Sequence, residues 1–317
     1  MNRKIRIAVL GLGGVGGYLG GLLAKTYAHS ETFEIIFIAR PESAATIREN
    51  GLRVMTLSDD FTVFPDRVIS DASDACHLDV LICTVKSYDL EQSLMAIAPL
   101  IGPDTLILPL QNGVQNTCTI SELFPFAKVL EGCIYIVSRR EAPGLIRMSG
   151  EGHMLYFGSE IIPYELLVNL NTWLRKAGIN SIIPPDIHQT IWEKFVFISV
   201  VATMTSGADE PIGALLINEQ HRKSIAGLLN EVTAVAKAKG IHLPDDMKEK
   251  AIKKMESQPY ETTSSMHSDF QKGGLTEFEQ LTSYVVEQGI KLGIPTPYYT
   301  HMLEILLKKS AFNYNDA

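Results

Sequence analysis

Cysteine is scarce in this chain and badly spaced for structural work. The 317 residues contain four, at Cys76, Cys83, Cys118 and Cys133. They form no CxxC pair and no Cys/His cluster at metal-ligand spacing. That excludes a disulfide scaffold and a zinc ribbon, and it leaves reduced thiols in a cytoplasmic chain as the expectation. Positive charge is in deficit too, with 28 Lys and Arg against 36 Asp and Glu, a net charge of −8. No footprint for nucleic acid or an anionic membrane exists, so an anionic ligand must find a local cationic pocket. Internal repeats and low-complexity tracts are also absent. One charge-free stretch, residues 7–24, follows the basic "MNRKIR" and imitates a leader or a membrane span. Seven of its 18 residues are glycine, which suits neither.

What is present reads as a two-domain enzyme. Hydrophobic residues make up 46% and charged residues 20%, ordinary for a globular protein, and the length exceeds what one core usually serves. "IRIAVLGLGG" is a strand entering a glycine-rich turn, and "VGGYLGGLLAKTYA" is the helix after it. "FEIIFIAR" (33–40), "VLICTVKS" (80–87) and "TLILPLQNG" (105–113) are further apolar strands without polar alternation, as expected when both faces are covered. Helical patterns such as "DLEQSLMAIAPLI" lie between them, so the sheet should be mainly parallel. "LRVMTL" and "FTVFPDRV" suggest an antiparallel hairpin inserted into that sheet. A β-rich stretch over 128–158, a helix at 164–177 and a strand at 179–184 complete a first domain of residues 1–184. The dipeptide in "PPD" punctuates the chain. A helical second domain, 185–317, follows, with helices expected at 188–205, 218–239, 245–256, 276–292 and 298–310.

Gly11, Gly13 and Gly16 match G-x-G-x-x-G between a strand and a helix. Such glycines permit a tight turn, close backbone approach to a pyrophosphate and helix–strand packing. The helix start then offers unpaired N–H groups and a positive dipole end to the phosphates. The second strand ends "IAR", with Arg40 and no acid before Glu42. An acid there would hold the ribose hydroxyls of NAD; a cation suits the 2′-phosphate of NADP. "VKSYD" puts Lys86 at the next strand's C-terminal end, and "QNG" puts Asn112 at the following one, where open α/β sheets bind ligands. An exposed lysine and an ordinary Asn-Gly turn are the bland alternatives.

"TIWEKFVFISVVATMT" (190–205) is almost wholly apolar, yet Lys194 sits inside it. A charge rarely leaves water without a partner or a task. A substrate carboxylate, a substrate carbonyl or an acid such as Glu277 would each justify it. Otherwise the ammonium reaches solvent with its stem lying on apolar neighbours. Later, "TTSSMHSDF" and "LTEFEQL" flank the loop "QKGG". Ser264, Ser265 or a nearby Thr can cap a helix there, and Ser265 and Asp269 stand four apart on one face. Thr276 and Glu279 have capping-box spacing, which leaves Glu277 to point elsewhere.

Taken together, "GLGGVG", "VKSYD", "QNGV", "WEKF", "SSMHSD" and "TEFE" resemble the ketopantoate reductase (2-dehydropantoate 2-reductase) family, in family order and over essentially the whole chain. The resemblance implies a Rossmann domain, then a helical domain like that of 6-phosphogluconate dehydrogenase. It implies NADPH-dependent reduction of a branched 2-keto acid toward pantothenate and coenzyme A. Lys194 matches the catalytic lysine that polarises and protonates the ketone oxygen, and Glu277 the acid beside it. Ser265 matches a contact to the substrate carboxylate, and Asn112 the asparagine near nicotinamide and substrate. Gly11, Gly13, Gly14, Val15 and Gly16 form the cofactor loop, with Lys86 a cleft lysine and Arg40 a 2′-phosphate contact. No metal is implied.

One departure bears on substrate. The family usually carries asparagines four and eight residues after the lysine, on the lysine's own face; here those positions hold Ile198 and Ala202. A site wall of that kind suits a more apolar 2-keto acid. The alternatives are a reductase of this fold with such a substrate, a related 3-hydroxyacyl or polyol-phosphate dehydrogenase, and a non-catalytic NADPH sensor. "YVVEQGIKLGI" and the last helix can pack inward or against a second subunit, which keeps a homodimer open.

Overall fold

The structure, a computed structural model, describes residues 3–73, 76–150 and 152–315. The outermost residues of both expected domains, 1–2 and 316–317, lie outside the described residues. The chain forms two compact units. One comprises Met1–Gln111 and Asn116–Ile187; the other comprises Asn112–Gln115 and His188–Ala317.

The first unit runs β1 (Ile5–Leu10), α1 (Gly14–Tyr27), β2 (Phe33–Ile38), α2 (Pro41–Asn50), β3 (Leu52–Met55), β4 (Asp60–Val63), β5 (Arg67–Ile69) and β6 (Val80–Cys83). It continues with α3 (Leu90–Met95), β7 (Leu106–Pro109), α4 (Asn116–Leu123), β8 (Lys128–Val129), β9 (Glu131–Tyr135), β10 (Ser138–Ala142), β11 (Leu145–Met148), β12 (Met154–Gly158), α5 (Tyr164–Lys176) and β13 (Ser181–Ile182). Six strands form one parallel sheet in the order β5-β2-β1-β6-β7-β8. That is the doubly wound arrangement, with its switch point between β1 and β6. Alternate residues explain the missing polar alternation. Ile7, Val9, Ile35, Phe37, Ile82 and Leu108 enter one core, while Ala8, Leu10, Ile36, Ile38, Leu81 and Ile107 enter the core on the opposite face.

The hairpin of β3 and β4 forms as expected but does not join the parallel sheet. It belongs to a second sheet, β10-β11-β3-β4, while β5 leaves it to pair with β2. The physical reason lies in α1. A Cβ at Gly17 would come within 2.5 Å of Ile146 of β11, and one at Gly21 within 2.6 Å of Val54 of β3. These glycines stand four apart, so one side of α1 is stripped of side chains and the second sheet seats there. A third sheet, β13-β12-β9, takes in the strand expected at 179–184, reduced to Ser181–Ile182.

The second unit is helical: α6 (Ile187–Ala208), α7 (Ile212–Ile217), α8 (Glu219–Ala238), α9 (Met247–Glu256), α10 (Ser265–Gln271), α11 (Tyr284–Leu292) and α12 (Pro297–Asn315). Asn218 caps α8 by accepting from the Gln220 and His221 N–H groups. The helix expected over 276–292 forms as one run from Phe278 to Leu292, but its residues Glu279–Ser283 make a π turn that leads into α11. Its first helical residue is Phe278, which puts Glu277 and not Thr276 directly before the helix, so the capping box of Thr276 and Glu279 does not form. A π turn displaces the ordinary backbone pairing and commonly marks a functional region. Here α6 supplies replacement partners. The Ser199 hydroxyl donates to the Leu281 carbonyl at 2.6 Å and accepts from the Tyr299 hydroxyl at 2.6 Å. One turn on, the Thr203 and Thr282 hydroxyls meet at 2.7 Å. Burial pushes the Tyr299 phenol well up.

Ser199→Ala would leave the Leu281 carbonyl and the Tyr299 hydroxyl buried without these partners. A destabilisation of about 2 kcal/mol is expected in urea unfolding, since each orphaned buried group costs ~1–3 kcal/mol. A change below about 0.5 kcal/mol, the size of an ordinary surface substitution, would contradict this account of the π turn.

Candidate active site

The glycine loop opens α1 at the C-terminal end of β1. Gly11 has φ +91, and a Cβ there would lie 2.8 Å from the Val85 side chain. Gly16 packs so closely that a Cβ would fall on the Gly11 carbonyl oxygen and the Thr84 hydroxyl. Thr84 in turn donates to the Leu10 and Gly11 carbonyls at 3.0 and 2.7 Å, fixing the loop. Gly14 lies against the Ser138 backbone, and the Ser138 hydroxyl donates to the Gly14 carbonyl at 2.8 Å. Val15 is half-buried against the core. Gly13 is different: a Cβ there would meet nothing within 4 Å. It is the N-cap of α1 and offers no side chain, and the first intrahelical bond runs from the Gly17 N–H to its carbonyl. The start of a 14-residue helix therefore presents backbone amides to open space, which fits a pyrophosphate.

Arg40 and Lys86 flank this loop at the ends of the neighbouring strands. Arg40 follows β2 and is the N-cap of α2. Its guanidinium is 78% exposed and donates to Asp89 Oδ2 at 2.6 Å; the Asp89 side chain is 23% exposed. Lys86 follows β6 and is the N-cap of the 3₁₀ turn Ser87–Asp89. Arg140 of β10 reaches the first turn of α2 by donating to the Ser43 hydroxyl at 3.2 Å.

Asn112 follows β7 in the chain but folds with the helical unit. There Lys194 Nζ donates to Asn112 Oδ1 at 2.9 Å. Lys194 is only 8% exposed, so it does not reach out to solvent. A buried ammonium with an amide acceptor is oriented rather than merely tolerated. Glu277 is 4% exposed and immediately precedes the helical run that carries the π turn. Ser264 caps α10 by accepting from the His267 N–H at 3.0 Å and pairs with the Thr205 hydroxyl at 2.9 Å. Ser265 is the exposed first residue of α10. Ala202 is fully buried, and Ile198 packs against the same core.

Sequence reasoning gave no role to several residues that build these sites. Asp209, directly after α6, adopts φ +61 and accepts from His267 Nε2 at 2.7 Å and from Gln271. The His267 hydrogen bond holds the Asp209 carboxyl below its usual range. This pair and Thr205 tie α10 to the end of α6. His267 lies inside the quoted "SSMHSD", but its partner is 58 residues away. Asp89 likewise ends "VKSYD" without any sign of its pairing with Arg40.

A glycine loop at the switch point of a doubly wound sheet, followed by a helical unit holding a buried lysine, defines an NAD(P)-dependent oxidoreductase. Residues 7–159 match the family described as ketopantoate reductase PanE/ApbA, and residues 186–310 match its C-terminal part. The chain belongs to the ketopantoate reductase family, whose reaction is the reduction of 2-keto acids. It is 35% identical to the crystal structure of 2-dehydropantoate 2-reductase from Porphyromonas gingivalis W83, over 96% of this chain and 100% of that one, with a TM-score of 0.84. It is 26% identical over 302 residues to the 2-dehydropantoate 2-reductase of Halobacterium salinarum, 95% of this chain and 98% of the relative. D-mandelate dehydrogenase, solved with NADH and anilino(oxo)acetate, shares the fold at 23% identity and a TM-score of 0.87, over 98% of this chain and 100% of that one. Among the described residues no helix is long and apolar enough to cross a membrane, and no group of three or more His, Cys, Asp or Glu could hold a metal ion.

Gly13→Ala tests the loop. Its methyl meets open space, so the thermal midpoint should move little, whereas dinucleotide affinity should fall by about tenfold or more as the Cβ meets the phosphates. Titration of cofactor fluorescence checks this; unchanged affinity would contradict the placement.

Proposed function

We propose that the chain is a cytoplasmic, NADPH-dependent 2-keto acid reductase, with 2-dehydropantoate as the leading substrate and pantoate as its product. The observation that carries this reading is the buried Lys194 ammonium held by Asn112. The bound nicotinamide supplies the hydride. Ketone reduction builds negative charge on the carbonyl oxygen, and Lys194 meets that charge with a fixed cation and donates the proton. Asn112 orients Lys194 so that little reorganisation is needed at the moment of reaction. Glu277 works beside the lysine, and Ser265, exposed at the first turn of α10, receives the substrate carboxylate. The helix start of α1, with Gly11, Gly13, Gly14, Val15 and Gly16, holds the pyrophosphate. Arg40 and Lys86 are the cations that meet NADP, and Arg140 of β10, which donates to Ser43 in the first turn of α2, adds to that support.

Ile198 and Ala202 favour a second reading of the substrate. They stand four and eight residues after Lys194, on its face of α6, and bring no hydrogen-bonding group. A site that holds a substrate hydroxyl rejects the analogue lacking it, and an apolar wall cannot do so strongly. Initial rates of NADPH oxidation with ketopantoate, 2-ketoisovalerate and longer or aromatic 2-keto acids decide between the readings. A wide margin for ketopantoate supports the pantoate assignment, and a margin for an acid without the hydroxyl supports the apolar one. Turnover of none of them, with NADPH bound, would overturn the reductase reading. Ile198→Asn is expected to raise kcat/KM for ketopantoate relative to 2-ketoisovalerate by about tenfold, the worth of one added hydrogen bond.

A further inference from the structure

The sequence rule for cofactor choice looks at one place, the end of the second strand. There it finds Arg40 and no acid, the pattern for a 2′-phosphate. The folded chain brings a carboxylate to the same place from elsewhere. Asp89 ends the 3₁₀ turn after β6, and its Oδ2 accepts from Arg40 Nη2 at 2.6 Å. β6 and β2 are the two neighbours of β1, so the ion pair spans the C-terminal end of the strand that feeds the glycine loop. We infer that Asp89 is a specificity-determining residue that narrows the preference for NADPH over NADH. The inference rests on the reading of this unit as a nicotinamide dinucleotide site.

Two effects act in the same direction. The carboxylate neutralises Arg40, so a 2′-phosphate must displace or share the guanidinium's partner while facing a like charge. For groups this exposed, a repulsion of that kind is worth about tenfold in affinity. The same carboxylate is an acceptor for ribose hydroxyls, the role an acid at the end of the second strand plays in NAD binders. Glu42 and Arg140 also belong to the first turn of α2 and its surroundings. Arg140 donates to Ser43, and among the described residues Arg40 forms its ion pair with Asp89. The site therefore carries one device for each cofactor, and Asp89 sets the balance between them.

The test is direct titration of purified full-length protein with NADPH and with NADH, followed by nicotinamide fluorescence, for the natural chain and Asp89→Asn. Asparagine keeps the shape and an acceptor for Arg40 but removes the charge. The ratio of the NADH to the NADPH dissociation constant is expected to rise about tenfold. A rise of threefold or more supports the inference; a smaller rise or a fall overturns it. Arg40→Ala should lower NADPH affinity in both backgrounds, and more steeply in Asp89→Asn, where the guanidinium no longer shares its charge; an equal loss in both counts against the shared pair. If the natural chain binds neither dinucleotide, the cofactor reading itself fails and this inference with it, an outcome distinct from an unchanged ratio.

Discussion

The desolvated ammonium of Lys194 constrains the helical unit more than any other group. Burying a cation is costly unless fixed acceptors replace its water. The chain meets this by sending Asn112–Gln115, a segment that follows β7 of the parallel sheet, into the helical unit. Asn112 supplies the acceptor and Val114 packs on the unit's core. Helix α6 must then be held without freedom to turn. Ser199 and Thr203 fasten it to the π turn, Thr205 to the cap of α10, and Asp209 to His267. Every one of these bonds draws on α6 or on Asp209 directly after it, within about four helical turns of Lys194. The helix is apolar nearly all round because it is covered nearly all round.

The first unit obeys a different constraint, the close approach of backbones. Gly16 touches the β1–α1 loop it helps to form, Gly17 and Gly21 admit the second sheet, and Gly13 leaves the helix end open. Seven glycines in 18 residues would be a poor helix or a poor membrane span in isolation. In place they are a loop, a docking face and an open helix start in one element.

Much of this was legible in the chain. The apolar strands at 33–40, 80–87 and 105–113 announced two-sided burial, and the parallel sheet follows from it. The helical second half, the glycine loop and a Ser or Thr cap near 264 were local patterns, and local patterns survive folding; the structure picks Ser264 for the cap. What was not legible depended on partners far apart in sequence. The hairpin's destination was set by glycines in α1 some 30 residues earlier. The π turn at 279–283 was hidden because its compensating hydroxyl, Ser199, lies about 80 residues upstream. Arg40 read as a simple cation because Asp89 is 49 residues away. Lys194 announced itself as an anomaly, yet its acceptor stands 82 residues before it.

Whether the buried lysine does chemistry decides what this protein is for. Lys194→Met keeps the stem and removes the charge. Single-turnover oxidation of bound NADPH by a saturating 2-keto acid, with the thermal midpoint and the NADPH dissociation constant recorded alongside, tests it most directly. The account predicts a folded protein that binds NADPH within about threefold of the natural chain and transfers hydride slower by about three orders of magnitude, the size expected when a preorganised cation and proton donor are lost. Hydride transfer within tenfold of the natural rate would contradict it and make Lys194 a structural residue.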